Sequence, residues 1–269
     1  MRYYVVADIH GFCSETERAL EAAGFFKDKE GVLLLCGDAL DRGSEAQRLC
    51  SFLLSLQKEG RLIYVKGNHE GLLDSCLKQI EWGDVIEVAT NGSVHCHNGT
   101  WDTLLQLSGM SEGEAVTNPD KLVKRVKESD YYRLLLPEAV DFYETENYVF
   151  VHGWIPTVRE GVRPYFKHSY DPNWRNADAE SWYYARWTNG MELACSSFIL
   201  ERGKTVVCGH YHASYGHEKY EKKGRVGEPD EDFSPFYSEG IIAIDACTAV
   251  SGRVNCIVIE DNELEETEK

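Results

Sequence analysis

Three short apolar runs open the chain, at residues 3–7, 32–36 and 62–65, and each is followed by an amphipathic stretch, at about 14–23, 44–57 and 69–80. Runs of four or five residues have the length of buried strands, and the longer stretches repeat apolar residues at helical spacing. Strand, helix and strand in succession close as a parallel pair with a right-handed crossover. The first third therefore predicts a βαβαβα arrangement on a largely parallel sheet. Sheets of this kind bind their ligands beyond the carboxyl ends of the strands.

From about 81 to 146 the pattern turns polar and helical. Asn118-Pro119 marks a helix start before 121–127, where Leu122, Val123 and Val126 form an apolar face. At 269 residues the chain is read as one domain, 1–269, with this stretch as a helical insertion or cap. Strand-like runs resume at 148–151, 205–208, 241–244 and 254–259. The last two are expected to join as a hairpin through Ser251-Gly252, and the second half to be more antiparallel than the first. Long loops at 156–179 and 212–239 are of a length that is usually functional or mobile.

The residues that follow the apolar runs carry the chemistry. Asp8 and His10 follow the first, Asp38 the second, Asn68 and His69 the third, with His152, His210 and His212 after later runs. All are oxygen or nitrogen donors, and a parallel sheet delivers them to one rim. Taken singly, each also fits a turn residue or a helix cap. Taken together, with no thiolate among them, they suit manganese, iron or zinc, and they are too many for one ion. A pair of ions needs a bridging carboxylate, and Asp38, from the middle run of the three, is placed to be it. Two such ions can share a hydroxide formed near neutral pH, which suits hydrolysis of phosphate esters. Arg42 adds a planar fork for phosphate oxygens, and Asp41 is available to orient a histidine.

Charge and cysteine content narrow the setting. The formal net charge of −17 argues against nucleic-acid or anionic-membrane partners. An acidic stretch at 260–269 is read as a solvated tail. The nine cysteines are odd in number and form no CxxC pair, and several fall inside apolar runs, so the expected location is the reducing cytoplasm. No apolar run is long enough for an export signal or a membrane span.

The motifs DIHG (8–11), GDALDRG (37–43), GNHE (67–70), HGW (152–154) and GHYH (209–212) together resemble those of the calcineurin-like metallophosphoesterases. DRG and GNHE point within them to the bacterial-type Ser/Thr phosphoprotein phosphatase branch, which also holds symmetrical dinucleoside tetraphosphate hydrolases. The resemblance runs from Asp8 to Asp245, with 30 residues from Asp8 to Asp38 and 30 from Asp38 to Asn68. It implies an α/β sandwich of mixed β-sheets flanked by helices, and two divalent metal ions, manganese first, with iron or zinc as alternatives. By the same resemblance Asp8 and His10 hold one ion, Asn68, His152 and His210 the other, and Asp38 bridges them. His212 completes the first metal site in the wider superfamily, whereas the phosphatase branch has a non-ligand at that position. His69 is implied as the general acid with Asp41 fixing its tautomer, and Arg42 and Arg186 as the two phosphate clamps. For Arg186 the residues alone equally allow a surface arginine stacked on Trp187.

HGW places a tryptophan where the family has a small residue, so Trp154 is expected to make the wall beside His152 bulkier. The aromatics Trp154, Tyr165, Phe166, Tyr170, Trp174, Trp182, Tyr183, Tyr184 and Trp187 are read either as core or as a stacking surface for a nucleobase or an aromatic side chain. His95-Cys96-His97 is read as a loop or edge strand rather than a metal site, and Asp245 as structural. The implied function is a Ser/Thr protein phosphatase acting through a metal-bridging hydroxide on a phosphorylated protein or a small phosphate ester. The alternatives are a symmetrical dinucleoside tetraphosphate hydrolase and a non-catalytic module that binds phosphoproteins.

Overall fold

The computed structural model describes residues 1–161 and 167–264. In chain order the elements are β1 (Arg2–Val6), α1 (Cys13–Ala23), β2 (Val32–Cys36), α2 (Ala46–Lys58), β3 (Leu62–Val65) and α3 (Asn68–Glu81). Next come α4 (Val85–Ala89), α5 (Val94–His97), α6 (Thr100–Ser108), α7 (Glu112–Thr117) and α8 (Pro119–Glu128). The remainder contains β4 (Tyr143–Glu144), β5 (Tyr148–Phe150), β6 (Thr157–Glu160), β7 (Lys167–Tyr170), α9 (Ala179–Arg186) and β8 (Thr205–Cys208). The chain continues through α10 (Ala213–Gly216), β9 (Phe236–Ser238), β10 (Ile241–Ala243), α11 (Thr248–Ser251) and β11 (Ile257–Glu260).

The strands form two main sheets, one ordered β11-β1-β2-β3 and the other β4-β5-β8-β10-β9. Alternation along β1 and β2 explains how they stack. Tyr4, Val6, Leu33 and Leu35 face the helices, where they join Leu20, Leu49, Leu53 and Leu77. Tyr3, Val5, Leu34 and Cys36 point the other way and meet Phe150, Val207 and Ile244 of the second sheet. Every residue of β2 is buried, as expected of a central parallel strand covered on both faces. The second sheet's outer face packs Val149, Val206 and Ile241 against Trp154, Trp174 and Trp182.

As expected, the second half is more antiparallel than the first: β4 with β5, β9 with β10, β6 with β7 and β11 with β1 all pair antiparallel, while the centre of the second sheet, β5 with β8 and β8 with β10, is parallel. The long connections between those central strands permit the crossovers that parallel pairing needs. Two expectations are corrected. The Ser251-Gly252 turn does not close a hairpin. Gly252, at φ 64°, ends α11 in a left-handed C-cap, and the chain then crosses to the first sheet, where β11 pairs antiparallel with β1. A left-handed glycine serves a helix end as readily as a hairpin, which is why the local signal is ambiguous. His95-Cys96-His97 lies in α5, a helix rather than a loop or strand, with the Ser93 hydroxyl capping it by accepting from the Cys96 N–H.

The helices α4 to α8 fill most of 81–146, and the short strand β4 also lies within that stretch. Trp101, Leu104, Leu122 and Val126 from these helices enter the same core as Leu73 and Leu77 of α3. This packing brings α6 against the loop after β2. All nine cysteines are free thiols. Among the described residues no helix is long and apolar enough to cross a membrane.

Candidate metal centre

The strand ends of both sheets meet at one rim. Beyond β1 and β2 the ladder continues into the loops, with the Asp8, His10 and Gly11 N–H groups donating to Gly37, Asp38 and Ala39. Across the rim the Gly209 N–H donates to the His152 carbonyl and the Ile244 N–H to Cys208, fixing the loops that carry His152, His210 and Asp245. Asp8, His10, Asp38, Asp41, Arg42 and His210 all adopt positive φ, between 45° and 75°. Such backbone is sparsely populated by residues with a Cβ, and its concentration at one site is the pattern of strain held for function.

Asp38 is the centre of the arrangement. Its Oδ1 accepts from the His69 backbone N–H at 2.9 Å, leaving Oδ2 to face three imidazoles. The Nε2 atoms of His152, His69 and His10 lie 3.4, 3.7 and 3.8 Å from that oxygen. Among the described residues two groups of side chains could hold an ion, His10 with Asp38 and His69, and Asp8 with Asp38 and His152, and Asp38 belongs to both. Close approach demands glycine around it. A Cβ on Gly67 would come within 2.0 Å of Asp38 Oδ1, and one on Gly209 within 2.0 Å of Asp8 Oδ2.

Histidine tautomers follow from the hydrogen bonds. The His10 Nδ1–H donates to the Leu40 carbonyl at 3.0 Å, and the His152 Nδ1–H to the Cys36 carbonyl at 2.9 Å. Carbonyls only accept, so both neutral rings turn the Nε2 lone pair into the site, the form that binds metal. Burial, with Arg42 and His69 nearby, pushes the His10 imidazole well below its ordinary pKa. Burial and His152 do the same to His210.

The donor set fits divalent cations. His152 Nε2 lies 2.7 Å from Asn68 Oδ1, so a lone pair faces a carbonyl oxygen across a gap that a shared cation would satisfy. Asp8, Asp38 and Asp245 are all buried. Burial, with Asp245 and Asp38 alongside, raises the Asp8 carboxyl well above the usual carboxylate range, and burial also raises Asp245. Buried carboxylates crowded in this way call for positive charge, and imidazole, carboxylate and amide donors match ions of the manganese, iron and zinc type.

Beside this cluster, the His69 Nδ1–H donates to Asp41 Oδ2 at 2.7 Å, and the Thr100 hydroxyl donates to the same oxygen at 2.7 Å. The Asp41 N–H is in turn held by Thr103 Oγ1 at 3.0 Å. Burial lowers the pKa of the His69 ring, but Asp38 and Asp41 outweigh it and the net shift is upward. Arg42 reaches both His10 Nε2, at 3.0 Å, and His69 Nε2, at 3.4 Å.

The remaining candidates lie further out. His210 packs its ring 5.1 Å from that of His152 but belongs to neither ion-holding group. His212, 39% exposed, stands 4.0 Å from Asp245 Oδ2, also outside both groups. Arg186 is not stacked at the surface on Trp187. It pairs with Asp141, and its Nε is buried without an acceptor among the described residues. Trp154 does not form a bulky wall beside His152. It is fully buried in the second core, against the Gly190 backbone. Trp174 and Trp182 are also core, while Tyr183 and Trp187 are exposed, and Tyr165 and Phe166 lie outside the described residues.

Three contributors escape the motif reading. Glu70, the last residue of GNHE, accepts from the Gly67, Ala39 and Asp38 N–H groups at 2.6, 3.1 and 3.2 Å and from the Tyr64 hydroxyl at 2.5 Å. It joins the loops after β2 and β3 from below. Its sequence signal is its place at the third residue of a helix, where a glutamate folds back on the cap. Thr100 and Thr103 share one face of α6 at helical spacing, but nothing in the sequence aims that face at Asp41.

The calcineurin-like phosphoesterase family model matches residues 1–214. Over 70 residues the chain is 36% identical to the symmetrical bis(5'-nucleosyl)-tetraphosphatase of Buchnera aphidicola subsp. Schizaphis graminum, covering 26% of this chain and 24% of that one. Over 142 residues it is 25% identical to the asymmetrical bis(5'-nucleosyl)-tetraphosphatase PrpE of Bacillus subtilis, covering 50% of this chain and 53% of that one. Among solved structures, a protein serine/threonine phosphatase from Saccharomyces cerevisiae aligns over 100% of this chain and 82% of its own, with 12% identity and a TM-score of 0.47. The family match takes in the strand-end donors from Asp8 to His212, and on that ground the chain belongs to the calcineurin-like phosphoesterases.

Proposed function

We propose that this protein is a metal-dependent phosphoesterase whose first substrate class is phosphoserine or phosphothreonine in proteins. The observation that carries the reading is Asp38 Oδ2 facing both His10 and His152, a carboxylate oxygen placed between a ligand proposed for each ion. Asp8 and His10 would hold one ion and Asn68, His152 and His210 the other, with Asp38 common to both and His212 at their edge. Bound there, two divalent ions supply an activated water and neutralise charge on the phosphate.

The chain's own groups do the rest. Arg42 and Arg186 bind phosphate oxygens through charge-assisted hydrogen bonds. His69 delivers a proton from Nε2 to the departing oxygen while Asp41 retains the Nδ1–H, so the ring stays oriented through the transfer. Manganese is the first metal to test.

A second reading, hydrolysis of a dinucleoside polyphosphate, is favoured by a hollow of about 430 Å³ beside His210. Trp187, Tyr211 and Tyr215 line it, and their rings suit stacking with a base. The names of the bacterial relatives point the same way. Metal-stripped protein reloaded with manganese and offered nitrophenyl phosphate, a phosphothreonine peptide and a dinucleoside tetraphosphate in parallel separates the readings. Phosphate from the first two supports the protein-phosphatase reading, and preference for the third moves the assignment to nucleotides. Binding of the phosphopeptide without release from any substrate favours a non-catalytic module.

A further inference from the structure

We propose that Asp141 is a positioning residue for phosphate recognition: its carboxylate holds the Arg186 guanidinium so that the remaining N–H groups meet an oxygen of the bound phosphate. This rests on the reading of Arg186 as the second clamp. Arg186 Nη2 donates to Asp141 Oδ1, and Nε of the same guanidinium is buried with no acceptor among the described residues. The Arg186 side chain is 17% exposed and that of Asp141 38%. A guanidinium N–H shut away from water without a partner is costly to leave unmade, and guanidinium N–H groups pair most strongly with carboxylate and phosphate oxygens.

Both ends of the pair are anchored. The Val140 N–H donates to the Tyr64 carbonyl at 2.9 Å and the Lys66 N–H to the Val140 carbonyl at 2.8 Å, so the residue before Asp141 continues the β3 ladder. Lys66 is two residues before Asn68. At the other end, Ala185 O accepts from the Trp154 N–H at 3.0 Å, and Gly153 lies against the carbonyls of 185, 186 and 188. The ion pair thus joins the loop next to Asn68 to the loop next to His152. An arginine has many rotamers, and a carboxylate set on sheet-anchored backbone selects among them before the phosphate arrives.

The test is a double-mutant cycle on the metal-loaded full chain, read as the dissociation constant of inorganic phosphate by calorimetry and as KM and kcat for nitrophenyl phosphate. Asp141→Ala should weaken phosphate binding and raise KM about tenfold, the size of coupling expected between contacting partners. Metal content should be unchanged. Asp141→Asn, which keeps an acceptor oxygen, should recover most of the affinity. In an Arg186→Ala background, Asp141→Ala should cost nothing further. Equal losses in both backgrounds would reduce Asp141 to a structural residue, and tighter phosphate binding by Asp141→Ala would make it a blocking group; either result overturns the proposal. So does an Arg186→Ala variant that binds inorganic phosphate as tightly as the wild type. Phosphate binding needs no turnover, so a protein that binds phosphate yet releases none from any ester would sink the proposed activity while leaving the cycle readable.

Discussion

His69 Nδ1 lies 2.7 Å from Asp41 Oδ2, and both side chains are buried. With that proton committed to the carboxylate, Nε2 is the ring atom left to face the rim, where it approaches Asp38 Oδ2 and Arg42. A proton delivered from Nε2 matters in proportion to how badly the leaving group needs it. His69→Asn should therefore slow hydrolysis of an alkyl phosphate by about 10² to 10⁴ and that of nitrophenyl phosphate far less, with metal content nearly intact. Rates on both esters, beside the metal-to-protein ratio, decide it: equal losses count against His69 as the acid.

Thr100 tests the support of that dyad, because its hydroxyl shares Asp41 Oδ2 with the imidazole. Thr100→Val keeps the shape and removes the donor, at a cost of about 0.5–1.5 kcal/mol for a neutral bond and more toward a charged acceptor. The expected result is a several-fold drop in kcat on alkyl phosphates with little change in KM. A drop confined to KM would assign Thr100 to substrate binding instead.

What the sequence made legible, and what it hid, divides along physical lines. The strands at 32–36 and 62–65 were readable because short, densely apolar runs have few other uses, and Asp38 and Asn68 were readable because they end those runs. The Ser251-Gly252 turn misled because the same left-handed glycine closes a helix. Thr100, Thr103 and Asp141 stayed hidden because each acts across space, from α6 or from the backbone beside β3, with no periodicity that marks its target. The positive φ values of Asp8, His10, Asp38, Asp41, Arg42 and His210 were also out of reach, since ordinary residues there carry no sign of an unusual backbone.

The crowding of carboxylates predicts a response to metal. An ion that binds only the folded chain stabilises it by about 2.7 kcal/mol at one hundred times its dissociation constant. Manganese should raise the thermal midpoint of the stripped protein, and chelation should reverse the gain. Asp38→Asn removes charge from the oxygen common to both groups, so it should lower the metal content and abolish the midpoint rise. An unchanged metal content would remove Asp38 from the shared position.

Glu70 carries the geometry beneath the ligands. Burial alone would raise its carboxyl, but hydrogen bonds from the Tyr64 hydroxyl and the Ala39 and Gly67 N–H groups, with His152 nearby, reverse the direction and hold it below the usual range. Glu70→Ala leaves those buried donors unpaired, at about 1–3 kcal/mol for each one stranded. A fall in stability of several kcal/mol in urea is expected, with reduced metal content in whatever remains folded. Loss of metal without loss of stability would instead suggest that Glu70 acts only on the loop conformations.

The hollow beside His210 depends on a second charged network that titrates in a different range. Glu192 Oε2 accepts from the Lys219 ammonium and from the Tyr215 hydroxyl at 2.6 Å, and Tyr215 lines the hollow. Lys219 and then Tyr215 draw the Glu192 carboxyl down from its usual 4.5 to about 2. A depressed carboxylate stabilises the fold above its unfolded pKa, and that contribution fades as the pH falls from about 4.5 through about 2. Glu192 is 40% exposed, so solvent screening limits the pair to about 0.2–1 kcal/mol. Glu192→Gln should lower the thermal midpoint slightly at neutral pH and converge on the wild type toward pH 2. If the hollow receives a base, the same change should raise KM for a dinucleoside tetraphosphate more than for nitrophenyl phosphate. An unaltered pH profile would show that Lys219 and Tyr215 hold their places without the carboxylate.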